Sequence, residues 1–121
     1  MTTSVETFFS AWGMDDDAAR ADAIAASFAE TGTYADPRSD GLLTGPAALA
    51  TYVNMFSANA PGWTAKVVKS DEIAGTTRAT VAFGGKGPDG AEMVQHGQYF
   101  VEVEAGKITR MVGFVGTGTP E

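Results

Sequence analysis

Apolar residues in the first half of the chain recur at helical spacing. Val5, Phe8, Phe9 and Trp12 stand at i, i+3, i+4 and i+7, which predicts a helix with one buried face. Thr3 and Glu6 have the spacing of a capping box at its start, and Gly13 ends it. In "AARADAIAASFAE" (18–30), Ala21, Ile24, Ala25 and Phe28 share a face and predict a second helix. "GPAALATYVNMFSAN" (45–59) predicts a third, with Gly45 as N-cap and Pro46 in the first turn. Leu49, Tyr52, Val53 and Phe56 form its inner stripe and read as plain core. Between the second and third helices, "TYAD" (33–36) reads as a short strand followed by an irregular loop.

After residue 62 the period changes from helical to alternating. "WTAKVVKSDEI", "TTRATVAF", "AEMVQHGQYFVEVE" and "KITRMVGFVG" predict four strands, joined by "AG", "GGKGPDG" and "AG" turns. Helices followed by an antiparallel meander give an α+β fold, a single domain over 1–121 with residues 116–121 as a frayed tail.

Charge and composition narrow the function. The 121-residue chain has a net charge of -7, which repels phosphate backbones and anionic lipid, so neither nucleic acid nor membrane is expected as a partner. It has no cysteine, which removes thiol catalysis and cysteine-ligated zinc and fits a reducing compartment. The opening "MTTSVETFFSAW" has no basic segment or long apolar core, so no signal peptide is expected and the expected location is cytoplasmic. Asp15, Asp16 and Asp17 resemble a metal cluster, but helix neighbours point apart and acids suit a helix start; no metal is expected. "FGGKGPDGA" lacks the spacing and the following helix of a phosphate-binding loop, and reads as a hairpin tip.

The segments "FFSAW", "DDDAARADAIAASFAETGTYADP", "LLTGPAALATY" and "GKITRMVGFVG" resemble the nuclear transport factor 2-like superfamily. Within it, the chain is similar to the SnoaL-like polyketide cyclases and the ketosteroid isomerases. The resemblance implies a cone-shaped fold, with three N-terminal helices packed on a curved four-stranded antiparallel meander around a ligand cavity. It also implies chemistry without a cofactor. Asp36, in its Asp-Pro pair, matches the isomerases' general base. Trp12 falls at the position of their oxyanion tyrosine and Tyr99 near their second oxyanion group.

Asp36 admits two readings. Asp-Pro is a common turn pair, yet a strand-end carboxylate facing an apolar cavity is a candidate base. Tyr34 shares its side of the strand, as a substrate-binding residue that orients a ligand or as a core residue packed with Phe28, and Arg38 is placed to pair with Asp36. Phe8, Phe28, Phe56, Phe83 and Met111 are expected to line the cavity as substrate-binding residues. His96, the one histidine, faces outward with Gln98 and Phe100 if alternation is unbroken, with Gln95, Tyr99, Val101 and Val103 inward. A bulge at Gly97 would bring His96 inside as an acid–base or ligand-orienting, substrate-binding group. The outer sheet face is apolar enough to predict a homodimer. The expected function is a SnoaL-like isomerase or cyclase acting on a small apolar or aromatic carbonyl compound. The alternative is a non-catalytic binder of such ligands, or a dimeric interaction module, on the same fold.

Overall fold

In the computed structural model, residues 3–39, 41–59, 62–86 and 89–115 are described. Helix α1 (Ser4–Ser10) starts where the sequence predicts. The Thr3 hydroxyl accepts from the Glu6 N–H, and the Glu6 carboxylate accepts from the Thr3 N–H in return. The chain then tightens into a 3₁₀ turn, Ala11–Gly13, before α2 (Asp17–Ser27). Asp16 caps α2 by accepting from the Ala19 N–H at 2.9 Å, so part of the acidic run serves as a helix start. Among the described residues no cluster of three or more potential metal ligands forms. Helix α3 (Pro46–Asn59) packs against α2 and the 3₁₀ turn. No helix among the described residues is long and apolar enough to cross a membrane.

The α+β class is as expected, with more strands than the pattern predicts. Strand β1 (Phe28–Ala35) is eight residues long, β2 (Leu43–Thr44) is a two-residue edge, and β3 (Thr64–Ile73), β4 (Thr76–Lys86), β5 (Glu92–Glu104) and β6 (Lys107–Val115) form the meander. Together they make one six-stranded sheet in the order β2-β1-β6-β5-β4-β3, with β1 parallel to β6. Phe28 therefore opens a strand and does not continue α2. The buried face of α2 is Arg20, Ile24 and Ser27; Ala25 is exposed. An alanine-rich helix gives little contrast between faces: Ile24 and Phe28 are buried as the pattern predicts, whereas Ala21 is half-buried, Ala25 is exposed, and Arg20 and Ser27 are buried as well. Both two-residue hairpins are Ala-Gly with positive φ at both positions, 52° and 84° at Ala74-Gly75 and 51° and 79° at Ala105-Gly106. That conformation matches the strands' twist. The predicted tail 116–121 and the hairpin-tip pair Gly87-Pro88 lie outside the described residues.

The alternation in β5 is unbroken where it matters. β4 and β5 pair residue for residue from Thr76↔Glu102 to Lys86↔Glu92, so there is no bulge at Gly97. The irregularity falls later, between Glu102 and Val103 on the β6 side, and Val103 is exposed although alternation predicts it inside. Phe100 and Phe114 pack edge to face on the outer side of the sheet, both exposed.

The core lies between the helices and the inner sheet face. Phe8, Phe28, Tyr34, Ile24, Leu49, Val53, Val81, Val101, Ile108 and Met111 have no exposed surface. Phe8 touches Phe9, Trp12, Phe28 and Tyr34 with ring centroids 5.1 to 6.0 Å apart. Phe8→Ala is expected to lower unfolding free energy by about 3–5 kcal/mol in urea titrations. Val68→Ala, at a half-exposed strand position, is expected to change it by less than about 0.5 kcal/mol. Similar losses from both would place the core elsewhere.

Candidate functional site

The end of β1 delivers Asp36 to a cavity of about 500 Å³ between α3, the 3₁₀ turn and the inner ends of β4 and β5. Its aromatic lining comes from Trp12, Tyr52, Phe56, Trp63, Phe83 and Tyr99, and Phe114 borders it although it has the parity of the outer face. Met55 and Met93 add apolar surface that is also solvent-exposed. Polar groups are few: Asp36, Arg38, Asn59, Gln95 and His96. An apolar cavity with a few convergent polar groups is the usual form of a small-molecule site.

Asp36 meets both of its sequence readings at once. Its Oδ1 accepts from the backbone N–H groups of Arg38 at 2.8 Å and Ser39 at 2.7 Å, which closes the turn after the strand. Its Oδ2 accepts from the Tyr34 hydroxyl at 2.6 Å. The Tyr52 hydroxyl donates to both oxygens, at 2.8 and 2.9 Å. The group is thus half-buried, tied to its own loop on one side and facing the cavity on the other. Arg38 contributes its backbone N–H and not its side chain; the guanidinium makes no ion pair among the described residues.

The proton inventory around the carboxylate is informative because a phenol has only one proton to give. Tyr34 uses its own on Asp36, so in the 3.5 Å contact between Tyr34 and Tyr99 the donor is Tyr99. At that distance the bond is weak, and the Tyr99 hydroxyl has its proton largely uncommitted. Trp12 is more isolated still. Its indole Nε1 is buried and finds no acceptor among the described residues. A buried donor without a partner costs roughly 1–3 kcal/mol, so evolved cores avoid it.

Tyr99 is seated by two glycines. A Cβ on Gly113 would fall 2.3 Å from the Tyr99 ring, and one on Gly97 would fall 3.0 Å from it. Only glycine at 113 leaves room for the phenol to lie flat across the sheet and reach the cavity.

All three phenols of the chain are held protonated. Burial raises Tyr34 well above an ordinary phenol, and the nearby Tyr99 and Asp36 add to it. Burial also raises Tyr52 and Tyr99. The hydrogen bond to Asp36 adds to the rise at Tyr52, and the Arg38 charge opposes the rise at both.

Several expected site residues fall outside the cavity. Phe8, Phe28 and Met111 are sealed in the core, and Tyr34 reaches Asp36 from behind, without surface of its own. The correction has a simple cause: alternation fixes which face a residue is on, whereas depth along the sheet decides between core and cavity. Phe56, Phe83, Trp12 and Tyr99 do line it. His96 keeps the parity of Gln98 and Phe100, yet it borders the cavity and is half-buried. Tyr52, Met55, Asn59, Trp63 and Met93 are among the lining residues the sequence reading does not assign to the site. Tyr52 carried a signal, since a tyrosine in a core stripe needs an acceptor for its hydroxyl.

A family model for the SnoaL-like domain matches residues 5–111. No curated protein matches the chain. Among solved structures, the chain is similar to a candidate isomerase of the SnoaL-like family from Agrobacterium tumefaciens, at 23% identity over 94% of this chain and 95% of that one, TM-score 0.79. It is also similar to a protein with a ketosteroid isomerase-like fold from Catenulispora acidiphila, solved in complex with trimethylamine, at 17% identity over 93% and 85%, TM-score 0.74. A nuclear transport factor 2-like protein of unknown function from Exiguobacterium shares 21% identity over 96% and 100%, TM-score 0.74. At these identities the likeness is one of fold.

The phenols make a checkable demand on alkaline stability. Each has a folded-state pKa above the ordinary value of about 10, so the folded chain keeps protons that the unfolded chain releases. Their contribution is complete below pH about 10 and declines as pH rises beyond it. Tyrosinate absorbance is expected to appear together with loss of the near-ultraviolet dichroism, not before it. Ionisation of two or more tyrosines in the still-folded protein near pH 10 would contradict the burial described.

Proposed function

The chain belongs to the SnoaL-like domain family, and from that premise we propose that it is a cofactor-independent isomerase or cyclase acting on a small apolar or aromatic carbonyl compound. One observation carries the reading. Asp36 lines the cavity together with two residues that carry donors without a strong acceptor, Tyr99 with its hydroxyl and Trp12 with its buried indole N–H. A base beside paired donors is what enolisation requires: one group takes the proton, the others hold the charge that develops on oxygen.

In this mechanism the Asp36 carboxylate removes a proton from the carbon next to the substrate carbonyl. The C–H electron pair becomes the enolate double bond and the carbonyl oxygen becomes anionic. Tyr99 and Trp12 donate to that oxygen. In an isomerisation the Asp36 proton returns to a different carbon; in a cyclisation the enolate carbon attacks a second carbonyl within the same substrate and the new alkoxide takes the proton.

Tyr52 has a specific part. A carboxylate offers about four lone-pair directions, and Tyr34, Tyr52 and the two turn N–H groups address all of them. Of these donors Tyr34 is sealed and the amides are fixed in the turn, whereas Tyr52 borders the cavity. The incoming C–H therefore displaces Tyr52. The other expected reading, a non-catalytic binder, draws support from the turn amides on Oδ1, which give Asp36 a structural reason to exist. The exposed Phe100–Phe114 pair supports a homodimer through the outer sheet face under either reading.

Exchange of the α-protons of 2-tetralone in D₂O, followed by proton NMR, separates the two. The unaltered protein is expected to accelerate exchange, and Asp36→Asn to slow it by about 100- to 10,000-fold with tetralone affinity little changed. Tetralone binding without acceleration, or acceleration that Asp36→Asn leaves intact, would remove Asp36 as the base.

A further inference from the structure

The mechanism leaves one buried charge unused. Arg20, one turn into α2, is 1% exposed, among the most enclosed large side chains of the described residues. Removing a guanidinium from water costs several kcal/mol unless it is fully hydrogen-bonded, and a well-packed apolar side chain is often no less stable in its place. Packing alone does not call for an arginine there.

Its partners show what it holds. Nε donates to the Ala11 carbonyl at 3.1 Å, and Nη2 to the Met14 carbonyl. Those two carbonyls bracket Trp12 in the 3₁₀ turn. On the other side, Nη1 donates to the Asn54 side-chain oxygen at 2.7 Å and Nη2 to the Ser57 hydroxyl at 3.0 Å. Those two residues bracket Met55 and Phe56, cavity-lining residues of α3. Asp17, one helical turn back, supplies the counter-charge at 2.7 Å. A rigid guanidinium thus spans from the turn that carries Trp12 to the helix that carries Tyr52 and Phe56. Across that span the Trp12 ring meets Phe56 at 4.9 Å and Tyr52 at 6.1 Å, edge to face in both cases.

We infer that Arg20 is a positioning residue for ligand recognition: it fixes the orientation of the Trp12 indole N–H against the α3 wall, and so sets how strongly the cavity prefers a ligand with an acceptor oxygen over the matching hydrocarbon. The inference rests on the donor role of Trp12 in the proposed function. The fork geometry matters as much as the charge, because only a planar guanidinium with five N–H donors reaches the two turn carbonyls and the two α3 side chains together.

The test compares affinities for 2-acetylnaphthalene and 2-ethylnaphthalene, a pair that differs chiefly in the carbonyl oxygen, in a Tyr99→Phe background where Trp12 is the remaining donor to that oxygen. One hydrogen bond is worth a preference of about five- to tenfold for the ketone in that background. Trp12→Phe is expected to abolish that preference. Arg20→Lys is expected to reduce it below about twofold, and to have no further effect on it in the Trp12→Phe background. The Trp12 indole N–H resonance should shift in Arg20→Lys while that of Trp63 stays in place. Should Arg20→Lys fail to fold, the double substitution Asn54→Ala with Ser57→Ala removes only the α3 half of the clamp, and is expected to reduce the preference by at least half. A variant of Arg20, or of the Asn54–Ser57 pair, that weakens both ligands equally and leaves the preference intact would overturn the positioning role, even with the Trp12 reading standing. A ketone preference that is absent from the Tyr99→Phe protein, or that survives the addition of Trp12→Phe, would remove the Trp12 donor itself and the inference with it.

Discussion

The Asp36 carboxylate accepts hydrogen bonds from two buried or half-buried phenols and from two amides of its own turn, and the architecture around it follows from that convergence. The amides fix the loop as it leaves β1. Tyr34 ties the carboxylate to the aromatic core behind it, and Tyr52 ties it to α3 in front. An ionised acid half out of water needs such donors, and phenols kept protonated by burial are well suited to supply them. The same contacts that make the site stable also aim its one acid into the cavity.

This arrangement removes the opposition between a turn residue and a functional acid. A carboxylate has two oxygens, and here they divide the work: Oδ1 closes the turn while Oδ2 is held by a phenol. Tyr52 bridges the two on the cavity side. The cost of orienting the acid is met by secondary structure that the fold requires in any case. Under the proposed function, a ligand exchanges a single hydrogen bond, that of Tyr52, and meets two donors with little else to bind.

The sequence made the fold legible because its periods are long and clean. Alternation from residue 63 onward marks four strands and two Ala-Gly hairpins, and Thr3 and Glu6 mark the first helix start. Strand β1 was only half visible, since Glu30, Thr31 and Gly32 break its alternation and the Phe28 before them fits a helix face equally well. Of the site, Asp36, Trp12 and Tyr99 were legible through the resemblance and the strand-end position. Tyr52 and Arg20 were not. A tyrosine inside an apolar stripe looks like core, and an arginine in an alanine-rich helix looks like its solvated side; each depends on an acceptor far away in sequence. Core and cavity aromatics were also indistinguishable, because Phe8 and Phe56 differ in depth and not in pattern.

The central claim is that acid and uncommitted donors share one cavity and address one ligand. A crystal structure of the protein with an enolisable aromatic ketone bound tests it most directly. The account predicts the carbonyl oxygen within hydrogen-bonding reach of Trp12 Nε1 and Tyr99 Oη, the α-carbon against Asp36, and the Tyr52 hydroxyl moved off the carboxylate. A ketone lying with its oxygen toward the Arg38 rim, with Tyr52 still seated on Asp36, would contradict it.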